Sequence, residues 1–148
     1  MISRYEKLSS SLSEIGRLIQ RLSDRVMKDY GLRGALAKYL LVLRRYKTGV
    51  TASRLSTLCE RNKADVSRAL GELEELGLVR RLSGVSYRAK ISLSDKGMEI
   101  ADSLAIRAGE VIAYVGKDIS EEERTIFYHS LESIAKNLEA IDDGALDI

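Results

Sequence analysis

The stretch NKADVSRALGELEELG, residues 62–77, gathers the side chains best suited to meeting a polyanion. Lys63 and Arg68 are cations, Ser67 brings a hydroxyl, and Ala64 and Gly71 are small. At about 100° per residue, Ala64, Ser67, Arg68 and Gly71 share one side of a helix, with Lys63 at its margin. Val66, Ala69, Leu70, Leu73 and Leu76 form the opposite, core-facing side. The charges run against the helix dipole, which favours acids in the first turn and bases in the last. Lys63 and Arg68 come early, whereas Glu72, Glu74 and Glu75 come late. The inversion costs a few tenths of a kcal/mol per misplaced charge. It has a reason if the N-terminal half of the helix must face DNA. A tip that is small, hydroxylic and basic fits the roughly 12 Å major groove, and the later acids lift away from the phosphates. Asp65 suits the dipole better than a phosphate, so it reads as a capping group or as an acceptor for an exposed cytosine amino group. The competing reading is an ordinary amphipathic helix with an arbitrarily decorated surface.

Other chemistries lack their residues. The 148-residue chain has one cysteine, Cys59, and one histidine, His129, so no internal disulfide and no Cys/His metal set can form. No Ser/His/Asp set, paired-glycine phosphate loop or carboxylate cluster in a cleft can be assembled, so an enzyme, a resident cofactor and a metal are not expected. SEEE and ELEEL read as helix-surface acids. Cys59 reads as a small core residue on the inward side of a short helix, and His129 as a surface residue. The start, MISRYEKLSS, lacks a long apolar run, and no stretch approaches roughly 18 uninterrupted apolar residues. The expectation is a cytoplasmic protein with no membrane partner.

The elements that must position the 62–77 helix follow from periodicity. Tyr5, Leu8, Leu12, Ile15, Ile19, Leu22 and Val26 recur in alternating steps of three and four. This is a coiled-coil-like seam on a first helix that stops near Gly31 and needs a partner surface. A second helix carries Leu36, Tyr39, Leu40 and Leu43 inward, with Arg44, Arg45 and Lys47 in its last turn and Gly49 as its stop. Thr51 then caps a short helix with Leu55, Leu58 and Cys59 inward, and Asn62 caps the next. After Gly77 the period changes to two: LVRRL, a turn SGVSYR, and AKISL make a two-stranded hairpin. Ser94 caps a long helix bearing Ile100, Leu104, Ala108, Val111, Ile112 and Val115 along one side. Ser120 and Glu123 form a capping box for a last helix through Phe127, Leu131, Ile134, Leu138 and Ile141.

Charge is segregated along this plan. Residues 1–32 hold 6 Lys/Arg against 4 Asp/Glu, residues 33–96 hold 14 against 6, and residues 97–148 hold 4 against 12. A basic block with this contrast is either a solvated face or the footprint of a polyanion-binding surface. The hairpin adds Arg80, Arg81, Arg88 and Lys90 around a turn whose tip could reach a minor groove. Alternatively, these are strand-edge charges that resist aggregation.

The run TASRLSTLCERNKADVSRALGELEELGLVRRL…RAKISLSDKG resembles the winged helix of the MarR family of bacterial and archaeal transcription regulators. ISLSDKG stands where that family has its leucine-threonine-x-x-glycine motif before the next helix, and the order of helices matches over nearly the whole chain. The resemblance implies a mainly α fold with a small β-hairpin wing. In it, a winged helix-turn-helix lobe at 33–96 is flanked by dimerisation helices at 1–31 and 97–148, all within a single domain.

It also implies a homodimeric regulator that binds double-stranded DNA, and it leaves room for a small-molecule effector between dimer helices and DNA lobe. Lys63, Ala64, Ser67 and Arg68 would then be recognition-helix contacts and Arg88 the wing arginine. Thr51, Ser53, Arg54, Arg61, Asp65 and Lys90 complete the expected DNA surface. Tyr5, Leu8, Leu12, Ile15, Ile19, Phe127, Leu131, Ile134 and Leu138 would serve dimerisation. Two residues depart from the family pattern. The wing has a single Arg88 with no aspartate before it, and Arg61 stands where an aliphatic residue is common, either as a phosphate contact or as a loosening of the turn. Some relatives sense peroxide through a thiol, a role Cys59 could take only without a resolving partner in its own chain. The alternative class is a winged-helix module that binds protein through the first helix.

Overall fold

The computed structural model describes residues 2–82 and 88–146. By contact the chain divides into Met1–Ile106 and Arg107–Ile148. The first unit begins with α1, Arg4–Lys28. Ser3 starts it with a capping box: its hydroxyl accepts the Glu6 N–H at 3.0 Å, and the Glu6 carboxylate accepts the Ser3 N–H at 2.7 Å. That carboxylate is held below its ordinary range by Ser3, chiefly by the bond from its backbone N–H and then by its side chain. α1 ends at Lys28 with Asp29 as its cap, short of Gly31. Its last turn turns inward through Met27, which is fully buried, while Val26 is only half-buried.

A short 3-10 turn, Gly34–Leu36, leads into α2, Ala37–Arg45, which buries Tyr39, Leu40, Val42 and Leu43. α3, Ala52–Cys59, and α4, Lys63–Glu75, follow. Together these helices bury Leu36, Leu40, Leu43, Leu55, Cys59, Val66, Leu70 and Leu73 in one core. Each large aliphatic side chain there contributes about 1.5–3 kcal/mol by leaving water. The expected inward set on α4 holds for Val66, Ala69, Leu70 and Leu73, but Leu76 is exposed. The helix stops one residue earlier, and Gly77 adopts φ +71° in the left-handed region that glycine enters without steric cost. The Leu78 N–H bonds Leu73 O at 2.9 Å and the Gly77 N–H bonds Glu74 O at 3.0 Å. This is a Schellman ending, which turns the chain so that Leu78 takes the buried place Leu76 would have had.

β1, Val79–Arg81, pairs antiparallel with β2, Ile91–Leu93, in the register Val79–Leu93, Arg80–Ser92 and Arg81–Ile91. The intervening SGVSY segment lies outside the described residues. β2 is also bonded on its other side: the Val50 N–H meets Ile91 O at 3.0 Å and the Ile91 N–H meets Val50 O at 2.7 Å. Ser94 then joins two elements. Its hydroxyl donates to Gly77 O at 2.6 Å and accepts the Gly97 N–H at 3.1 Å, opening α5, Asp95–Val115. Within this unit, Arg44 donates to Asp102 at 2.7 Å, and the Tyr30 and Ser103 hydroxyls lie 2.7 Å apart.

In the second unit, α5 ends with Ile112 and Val115 exposed. Ser120 and Glu123 form the expected capping box, with bonds of 2.8 and 3.1 Å, for α6, Glu121–Ala140. Arg124 reaches back to Gly116 O at 3.1 Å and along its own helix to Glu121 at 3.1 Å. No described residue of α6 is buried, and Phe127 and Leu138 are exposed while Leu131 and Ile134 are half-buried. Among the described residues no helix is long and apolar enough to cross a membrane.

Candidate nucleic-acid interface

Two short helices and their turn set the geometry. The Thr51 hydroxyl accepts the Arg54 N–H at 3.1 Å and starts α3. Asn62 Oδ1 accepts the Asp65 N–H at 2.8 Å and starts α4. Each bond satisfies one of the orphan donors at a helix start and is worth about 1 kcal/mol. Between the helices, Glu60 adopts φ +52°. The Arg61 N–H bonds Ser56 O at 3.1 Å, and the Ser56 hydroxyl donates to Arg61 O. The turn is therefore closed twice around Arg61, whose side chain is left exposed rather than loosening it.

Lys63, Ala64, Ser67 and Arg68 are all exposed on α4, as are Ser53, Arg54 and Gly71 nearby, while Thr51 and Asp65 are half-buried. The helix thus presents a basic, hydroxylic and small surface over its first two turns. Arg88 and Lys90, on the approach to β2, are exposed as well. Lys38, Arg45 and Arg61 all act electrostatically on the Cys59 thiol, which places three cations around the buried end of α3. The nearness of Lys38 and Arg45 to Cys59 was not legible in the sequence, because α2 read from its pattern as a core helix with a basic end. Burial outweighs these cations and raises the thiol above its ordinary range. Cys59 is fully buried, as expected of a small core residue.

Two of the late acids of α4, Glu72 and Glu74, have partners. Glu72 accepts two bonds from Arg33 Nε, at 2.9 and 3.1 Å, and pairs with its Nη2. Glu74 pairs with Arg81 of β1 at 2.9 Å. Arg81, grouped by sequence with the wing cations, is thereby engaged on the helix behind it. Asp65 Oδ1 accepts from Arg68 Nη2 one turn along α4. The i, i+3 spacing of Asp65 and Arg68 is a signal that sequence alone could have supplied. Arg33 and Glu72 lie 39 residues apart, and no local pattern announces them. Among the described residues no group of His, Cys, Asp or Glu is arranged to hold a metal ion.

No family model matches the sequence, and no curated protein is similar to it. Solved structures are similar in fold. The S. aureus MepR–DNA complex superposes with a TM-score of 0.84 at 20% identity, covering 92% of this chain and 99% of that one. A MarR family regulator from Neisseria meningitidis gives 0.80 at 19% identity, with 97% and 99% covered. A MarR family regulator from Listeria monocytogenes complexed with 26mer DNA gives 0.79 at 18%, with 91% and 93% covered. Among the described residues, six α-helices in this order, with a two-stranded hairpin between the fourth and fifth, give the chain the winged-helix fold of MarR family regulators.

Proposed function

We propose that this protein is a sequence-specific, double-stranded DNA-binding transcription regulator that acts as a homodimer on a pseudo-palindromic operator. The observation that carries the reading is the exposed tip of α4: Lys63, Ala64, Ser67 and Arg68 face outward while Glu72 and Glu74 are engaged by Arg33 and Arg81. A helix so decorated can enter a major groove with two of its late carboxylates, those of Glu72 and Glu74, already held by arginines. The fold shared with DNA-bound MepR and the DNA-bound Listeria regulator supports the same reading. Two-fold symmetry places the half-sites about one helical turn, ~34 Å, apart.

Arg68 and Ser67 read base edges in this scheme, and Lys63, Arg54, Arg61 and Lys90 neutralise phosphates. The exposed seam of α1 and the exposed apolar residues of α6 support pairing with a second copy. A small-molecule effector is a further element of the proposal, one that the resemblance suggests. The test is binding measured against salt. Lys90→Ala lowers the log–log slope by ~1 for every sequence, whereas Arg68→Ala costs ~1–3 kcal/mol chiefly on the specific site. Equal losses on random DNA from both changes remove base readout by Arg68. Unchanged function after neutralising Arg68 and Arg88 together favours a protein-binding winged helix instead.

A further inference from the structure

We propose that Asp65 is a specificity-determining residue, orienting Arg68 toward a guanine and screening it from phosphate; this rests on the DNA-binding reading above. Asp65 is anchored where it stands. Its backbone N–H is taken by Asn62 Oδ1 at 2.8 Å, and its acid lies in the first turn, where the dipole favours it. Its carboxylate then holds Nη2 of Arg68 across one turn. The arginine side chain remains 71% exposed, so the ion pair fixes the group without withdrawing it from a partner.

A guanidinium has five N–H donors, and one of them satisfies the contact to Asp65. Guanine asks for two, at O6 and N7, presented side by side. An arginine already confined by a carboxylate loses less freedom on forming that pair than one sweeping solvent. The pair is also close to neutral as a unit. Phosphate oxygens, drawn to a lone guanidinium anywhere on the backbone, meet the Asp65 charge beside this one and are disfavoured. Asp65 therefore gives up general affinity for selectivity.

These two consequences have opposite signs, and that separates the role from a merely structural one. Wild type, Asp65→Asn, Asp65→Ala, Arg68→Ala and the Asp65→Asn/Arg68→Ala double variant are each equilibrated with a randomised duplex pool at fixed salt. Affinity for a random duplex is measured in parallel, with melting temperatures to confirm folding. Wild type selects a guanine at one position of each half-site. Both Asp65 variants reduce that preference by about tenfold while binding the random duplex about two- to threefold more tightly. In the double variant the Asp65 change has no further effect on base preference.

If the Asp65 variants keep the guanine preference, or weaken specific and random binding alike, Asp65 only supports the helix and the inference falls. A wild type that selects a sequence without a guanine in each half-site also overturns it while leaving DNA recognition intact. A wild type that binds no duplex overturns the function and the inference together.

Discussion

Gly97 sits where two chain segments come nearest to each other. A Cβ built on it would lie 2.0 Å from Leu78 O, the same carbonyl that accepts the Ser94 N–H at 2.9 Å. Neither atom can withdraw cheaply, because Leu78 is buried and Ser94 is bonded to both Gly77 and Gly97. Gly97→Ala is expected to lower stability by about 1–3 kcal/mol through overpacking. Urea denaturation at neutral pH measures it, and an unchanged midpoint would contradict the contact. The glycine was visible in ISLSDKG only by resemblance. Its physical reason, a backbone passing over its Cα from 19 residues away, has no local signature. Ser94 was legible because a cap is a short-range feature, and so were Thr51, Asn62 and Ser120. Leu76 was misplaced because periodicity alone continues a helix past the residue at which a left-handed glycine ends it.

α4 is stabilised from its sides by charges that the linear pattern makes look adverse. Arg33, beyond the end of α1, grips Glu72, and its hydrogen bond holds that carboxyl below the ordinary range while the guanidinium is raised above its own. A depressed carboxylate contributes stability at pH values above its unfolded value, and the contribution disappears as pH falls through the lowered folded value. A double-mutant cycle of Arg33→Ala and Glu72→Gln should give a coupling below about 1 kcal/mol at neutral pH, since both groups are substantially exposed. The coupling should vanish in acid once Glu72 is protonated. A coupling that persists at pH 2 would mean that packing rather than charge joins them. The helices themselves were legible because their period and caps lie within each segment. The ion pairs and the Val50 bridge were not, since they join residues far apart in the chain.

For the molecule as a whole, the decisive fact is how much of α1 remains without cover. Tyr5 is 76% and Ile19 60% exposed, with Leu8, Leu12 and Ile15 exposed between them. A narrow apolar stripe of this length is satisfied by another helix, and under the proposed function that helix belongs to a second copy. Leu12→Glu with Ile15→Glu should convert a dimer into a monomer at micromolar concentration, read by sedimentation, and lower affinity for a two-half-site duplex far more than for a single half-site. A wild type that sediments as a monomer would refute pairing. The seam was legible because a heptad pattern does not depend on knowing its partner. Met27 was not, because the last turn of α1 leaves the seam for the core.

The Val50–Ile91 bridge bears on how such a molecule would hold a duplex. Thr51, which opens α3, is the next residue after Val50, so the inner strand of the hairpin and the first helix of the pair share one anchorage. If this lobe binds DNA as proposed, the wing strand and the helix pair that carries α4 cannot drift independently on the duplex. On that reading they act like the jaws of a fixed calliper, and a duplex of altered pitch would lose its fit at both jaws at once.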